Sequence, residues 1–386
     1  MNELVTFFAY LFLNPIWYLA FIVIYALSTR RIQKERESFH TRVYSQVSDF
    51  TIPFLPSLVV GAVLSLLTIG VGVVMPKVLF ICLIIVTIVT ALSLQVRWMT
   101  PLYSVGVLLL LYPFTPLVER VLPFDGFSHI PIERVALLLV VFTFVEALLI
   151  RWNAVKYTSP RLERSKRGKW IGVHAAQRLW VIPVFFFIPE GSLPSLGAWP
   201  LLPFGDEGLQ PIVFPFLLGF KQTVAAELPK RALSSTSTYV FYLGIALALL
   251  SALAFYAPLM ASIVGAVAII AREAISFFVK RRDEAKRPFF SSRRDGCIVL
   301  GVLPGSPAEK LNIEAGETIV KVNGQAVNSE KSFYYALQKN AAFCKLEILT
   351  SDGQTRLAQA ALYDDAHHQL GVLLVKDDVH LQDSVV

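Results

Sequence analysis

Apolar residues run in long blocks through the first 279 positions, and a shorter-period pattern takes over after them. Blocks at 4–28, 56–74, 78–96, 101–118 and 132–150 each approach the ~20 residues that carry a helix across a hydrocarbon core. The first is broken by Asn14-Pro15, which predicts a kink or a short entry segment before the span proper. Residues 179–220 are apolar but rich in Pro and Gly, and hydropathy predicts two further spans there, joined by a loop without Lys or Arg. Blocks at 239–257 and 258–279 form a last pair. The sum is about nine spans, falling toward six to eight if the broken segments are re-entrant.

The charges between the blocks orient them. Arg30, Arg31, Lys34, Arg36 and Arg42 follow the first block, and further basic stretches fall at 151–178, at Lys221, Lys230 and Arg231, and at 280–294. Alternation puts all of these on one side, which the positive-inside bias makes cytoplasmic, with the N-terminus outside. Within RRIQKERESFHTRVYSQ the charges alternate in sign at helical spacing, predicting a cytoplasmic helix along the headgroups. Trp152, Trp170 and Trp180 suit the interface. The first block lacks a basic start and a small-residue cleavage site, so it is expected to remain as a span.

From 295 to 378 the pattern is that of a soluble α+β unit. Strands are predicted at 297–302, 318–322 and 344–350, a short helix opens near Ser306, and a longer helix covers 329–340. Gly305, Gly316 and Asn323-Gly324 mark the turns. VLPGSPAEKLNIEAGETIVKVNGQAV within this stretch closely resembles the bacterial PDZ domain. The resemblance implies recognition of an extended, usually C-terminal, peptide by strand addition beside the main helix. Phe333 and Leu337 lie one turn apart on that helix, on the groove or in the core. The carboxylate-holding triplet that usually precedes the first strand is missing, since only PFFSSRRD stands there; Leu370, Gly371 and Val372 stand at the far end instead. Either the unit is circularly permuted and its closing strand supplies that loop, or 370–375 is an ordinary final strand. The expected organisation is therefore a multi-span region at 1–279, a basic cytoplasmic linker at 280–294, a PDZ-like domain at 295–378 and a tail at 379–386.

Composition agrees with a polytopic α-helical membrane protein carrying a C-terminal α+β PDZ-like domain: 55% of residues are hydrophobic and 16% charged. The net charge of +7 is spread over inter-span loops, which favours membrane orientation and attraction to anionic lipids over binding to nucleic acid. Cys82, Cys297 and Cys344 show neither metal spacing nor a disulfide framework. There is no His-Glu-x-x-His for an intramembrane metalloprotease, no soluble domain for a Ser-His-Asp triad and no GxxxxGK[ST] loop. No catalytic residue, metal site or cofactor is expected, and the chain reads as non-enzymatic. His367-His368 reads as a solvated pair. Intramembrane charge is the remaining candidate chemistry: Glu146 in the fifth block, and Arg272 with Glu273 in the last. All three stand near the cytoplasmic ends, so snorkelling or mutual pairing is the plain expectation over an ion or proton path, and a Glu146–Arg272 contact between the two helices is the pairing to test.

The NPIWY start, the abrupt RRIQKERESFHTRV segment, many spans without catalytic residues and a PDZ unit after a basic stretch together resemble the MinJ family of division-site determinants. That resemblance implies a scaffold at cell poles and septa, linking a DivIVA-like polar protein to MinD with MinC and to other division proteins. Two other classes stay open from sequence: a transporter or channel with a regulatory PDZ domain, and an adaptor presenting protein tails to a separate protease.

Overall fold

A computed structural model describes residues 2–121, 126–166, 168–195, 197–204, 208–293, 295–340, 343–361 and 370–376. Helices α1 (Asn2–Leu13), α2 (Pro15–Phe39), α3 (Ser48–Val71), α4 (Lys77–Leu92), α5 (Pro101–Leu111), α6 (Thr115–Val121) and α7 (Ile132–Leu149) come first. Strands β1 (Ser159–Arg164), β2 (Trp170–Leu193) and β3 (Leu209–Val224) follow, then helices α8 (Pro229–Ala254) and α9 (Leu259–Ala285) and the short strand β4 (Phe290–Ser291). Among the described residues six segments are long and apolar enough to cross a membrane: Val5–Phe39, Ser48–Val71, Pro101–Val121, Ile132–Ala154, Pro229–Ala254 and Leu259–Ala285. The helix Lys77–Leu92 is apolar but shorter. The break at Asn14 is a helix cap, its Oδ1 accepting from the Ile16 amide at 3.1 Å.

The expected pair of spans at 179–220 is instead an antiparallel hairpin. β2 and β3 pair from His174–Val224 through Pro189–Leu209, roughly 50 Å at ~3.3 Å per residue, against a hydrocarbon core about 30 Å thick. The hairpin runs alongside α3, with Pro183 against Gly61 and Phe185 against Ser65 and Thr68. A strand edge at that depth has no water to satisfy it, so each outward backbone group needs a protein partner or must be absent.

The sequence supplies both solutions. Pro183 faces Pro215, and Pro211 faces Phe187, at positions whose N–H would point away from the partner strand. The Phe185 amide donates to Ser65 Oγ at 3.0 Å, and its carbonyl accepts from Thr68 Oγ1. Phe187 exchanges backbone bonds with Val73 and Met75 at 3.2 and 2.9 Å, and the Gly219 amide donates to the Met99 carbonyl. Gly61 lets α3 approach this closely: a Cβ there would stand 2.5 Å from the Pro183 carbonyl oxygen. The run Val-Ile-Pro-Val-Phe-Phe-Phe-Ile is rich in strand formers, and its prolines would break a helix.

A second correction concerns the charged stretch after the first span. α2 continues without interruption to Phe39, and its charges do not all face solvent. Glu35 is fully buried, accepting from Arg31 Nη1 (2.6 Å), Ser159 Oγ (2.7 Å) and the Val43 amide (2.8 Å), while Arg31 Nε reaches Asp49 at 2.9 Å. This network fastens α2, α3 and β1 together.

The C-terminal unit comprises β5 (Cys297–Val302), α10 (Pro307–Lys310), β6 (Thr318–Val322), β7 (Gln325–Ala326), α11 (Glu330–Gln338), β8 (Phe343–Leu349), β9 (Thr355–Ala361) and β10 (Val372–Leu374). Its sheet runs β10-β5-β6-β8-β9, with β7 paired to β6. The core beneath contains Val299, Ile319, Phe333, Leu337, Leu346 and Val372. The stretch before it is no free linker: α9 runs on to Ala285, Asp283 accepts from the Ala225 and Ala226 amides, and Phe290–Ser291 pairs with Ile171 and Gly172 of β2. Phe290, Ile298, Leu300 and Val375 form a buried cluster against Phe39, Leu162 and Leu228, so the back of the unit is docked on the membrane region.

Candidate functional site

Two places collect the residues singled out from sequence. The first is the β10 side of the C-terminal unit. Ser306 caps α10 and Ser329 with Ser332 forms a capping box on α11, fixing where each helix starts. Asn323 donates to the Ala336 carbonyl and accepts from the Lys345 amide, tying α11 to the β6–β8 edge. Arg356 holds Glu317 with two bonds of 3.0 and 2.8 Å and also reaches the Asn312 carbonyl, which locks the turn after α10. Arg356 and Glu317 were not singled out, and nothing but their opposite charge marks them in the sequence.

β10, the last strand among the described residues, pairs antiparallel with β5, the first strand of the unit. Among the described residues no strand covers its other edge. Leu370, Gly371 and Val372 form the entry to this edge strand. The Leu370 carbonyl accepts from the Ala308 amide at 3.0 Å and the Gly371 carbonyl from the Leu303 amide at 2.8 Å, so the turn is moored to the start of α10. Gly371 has a left-handed φ of +83°, and a Cβ added to it would collide with Ser306. A Gly371→Glu substitution would therefore disturb the fold as well as any ligand. Phe333 and Leu337 are 0% and 3% exposed, in one core with Leu370, Val372 and Leu374. They belong to a closed apolar core beside the strand and line no open groove. Burial pushes the Cys344 thiol in the same core up to about 12, which leaves it protonated and inert.

The second place is the charge cluster within the spans. Arg272 Nε and Nη2 both lie 2.8 Å from Glu146 Oε1, and the two residues are 6% and 1% exposed. Arg272 Nη1 also donates to Ser276 Oγ at 2.7 Å. Glu273, half-exposed, accepts from Tyr103 (2.6 Å) and Trp98 (3.2 Å) and pairs with Arg97 at 3.3 Å. The structure thus brings Glu146 and Arg272 together across α7 and α9 and places Glu273 one position on, in a network of its own. Each charge is neutralised where it stands, which is what burial in a low-dielectric bundle demands.

Where the membrane region meets the back of the C-terminal unit, the His174 ring packs tilted against Phe290 at 4.9 Å between ring centres, and its Nδ1 lies 2.9 Å from Thr158 Oγ1. Burial pushes its imidazole down to about 4. No group of His, Cys, Asp and Glu among the described residues is arranged to hold a metal. His367, His368, His380 and the tail at 379–386 lie outside the described residues.

Comparison with known proteins adds the following. A family model described as the PDZ domain matches residues 298–348. The cell division topological determinant MinJ of Bacillus subtilis (strain 168) is 35% identical over 375 residues, covering 95% of this chain and 94% of its own. The probable MinJ proteins of Lacticaseibacillus paracasei and Lacticaseibacillus casei (strain BD-II) are each 23% identical over 248 residues, covering 64% of this chain and 66% of theirs.

Proposed function

Because the chain belongs to the MinJ family of cell division topological determinants, we propose that it is a non-enzymatic membrane scaffold for division-site selection. It links a DivIVA-like polar protein to MinD, with MinC, and to other division proteins at septa and cell poles. The PDZ unit faces the cytoplasm, on the side of the basic stretches at 151–178 and 280–294.

The observation that carries this reading is likeness over nearly the whole chain, membrane region included, to a protein named for a topological role in division. The architecture suits it. Six spans confine the molecule to the membrane plane, and confinement raises the effective concentration of docking surfaces without a tight individual contact. The β10 edge, entered through Leu370, Gly371 and Val372 and backed by the core that holds Phe333 and Leu337, receives an extended partner segment by strand addition.

A fluorescent fusion in dividing cells tests the role. The expected result is enrichment at septa and poles, with long cells or minicells when the protein is removed. Uniform membrane fluorescence with normal division contradicts it.

A further inference from the structure

Where α2, β1 and the end of the PDZ unit meet, a cleft of about 330 Å³ is lined by Lys34, Glu37, Arg161, Glu163, Trp170 and Lys376. Arg161 is only 7% exposed, yet among the described residues no ion pair or hydrogen bond engages its guanidinium, and its Nε is buried without an acceptor. The charges of Glu35 and Glu163 both reach Arg161, but Glu35 is already taken up by Arg31, Ser159 and the Val43 amide. Burial accordingly lowers the Arg161 pKa from its ordinary value. A buried cation without a partner is unfavourable, and a counter-ion placed against it offsets that penalty.

The rest of the cleft shows what counter-charge fits. Lys34 is exposed on α2 and Lys376 follows the closing strand, so three cations from three parts of the chain converge. Glu37 and Glu163 on the same walls reduce the balance to one net positive charge, which matches a monoanion better than a polyphosphate. The end of α2 that carries Lys34 lies just beyond the apolar run, on the side where lipid headgroups begin. Lys34 stands about 9 Å along α2 from Ser28, where the apolar run ends, at 1.5 Å per residue. Trp170 in the wall is the residue type enriched at that level.

We propose that this cleft binds a phosphate monoanion, carried in the membrane by an anionic phospholipid headgroup. Arg161 donates to the phosphate oxygens, Lys34 and Lys376 close over it, and the carboxylates accept from headgroup hydroxyls. Because Lys376 directly follows Val375 in the docked cluster, an occupied cleft fastens the PDZ unit to the bilayer side of the molecule. The proposal needs only the membrane region and the docked unit, and not the division partners.

The test uses the full-length protein in non-ionic detergent, stripped of lipid and titrated separately with short-chain phosphatidylglycerol, short-chain phosphatidylcholine and inorganic phosphate. Thermal unfolding and native mass spectrometry supply the readouts. Phosphatidylglycerol is expected to stabilise and remain bound, phosphatidylcholine to do neither, and Arg161→Gln to raise the half-saturating concentration about tenfold. If Arg161→Gln fails to fold, the Lys34→Gln/Lys376→Gln double variant, changed at more accessible positions, should show the same loss. Equal stabilisation by inorganic phosphate, abolished in the variants, supports the phosphate site and assigns it to a soluble ligand. Identical responses to both lipids and none to phosphate, unchanged in the variants, overturn the proposal.

Discussion

Two sheets in this molecule treat their edges in opposite ways. The β2–β3 hairpin lies along α3 and closes its outward groups with prolines, hydroxyls and neighbouring carbonyls. The PDZ sheet ends on β10, whose far edge has no strand partner among the described residues. In hydrocarbon each unpaired group costs several kcal/mol, whereas outside it a sheet can end on an unpaired edge, the kind to which a peptide strand can add. The same secondary structure is therefore a sealed strut in the middle of the chain and, at its end, the edge we propose for strand addition.

Substitutions can break that contrast, and the largest effect belongs to the membrane half. Glu146→Arg or Arg272→Glu alone leaves a buried like-charge pair and should cost about 3–5 kcal/mol. The double reversal should recover much of the loss, read as thermal unfolding in detergent.

At the junction of the halves, His174 makes docking sensitive to pH. Its folded pKa, about 4, lies below the ordinary value of 6.5, so the unfolded chain binds its proton first. Stability from this residue is present above pH 6.5 and lost as pH falls toward 4, by about 3 kcal/mol in all. His174→Phe should flatten that part of the profile, measured as unfolding midpoints across the window.

A single hydroxyl sharpens the comparison further. Ser65→Ala orphans the Phe185 amide at depth and should cost about 1–3 kcal/mol. Ser329→Ala removes a helix cap at the more accessible PDZ surface and should cost about 1 kcal/mol, since water can replace the lost bond. Equal losses in paired melting experiments would remove the proposed role of solvent.

How much of this was legible follows from the signals themselves. The long spans declare themselves by apolar length, and the PDZ unit by its Pro-Gly and Asn-Gly turns. Glu146 and Arg272 were readable as partners because each is conspicuous in an apolar run near the same membrane face. The hairpin was not, because hydropathy counts apolar residues without regard to period. Its signal was conformational: Pro183 opposite Pro215, and Pro211 opposite Phe187, at positions where a strand tolerates a missing N–H and a helix does not. The burial of Arg31 and Glu35 was hidden for the opposite reason, since alternating charges usually mark a solvated helix face and only the fold brings Ser159 to meet them.

The hairpin in the membrane region is the central structural claim, and cysteine cross-linking tests it directly. In full-length protein with Cys82, Cys297 and Cys344 changed to Ala, pairs of introduced cysteines at Val181 with Leu217 and at Phe185 with Val213 should oxidise readily, being directly opposite in the register. Val181 with Phe216 should not, because adjacent residues point to opposite faces. Cross-linking that recurs every three to four residues, or fails at both facing pairs, would show two helices at 179–220 and contradict the account.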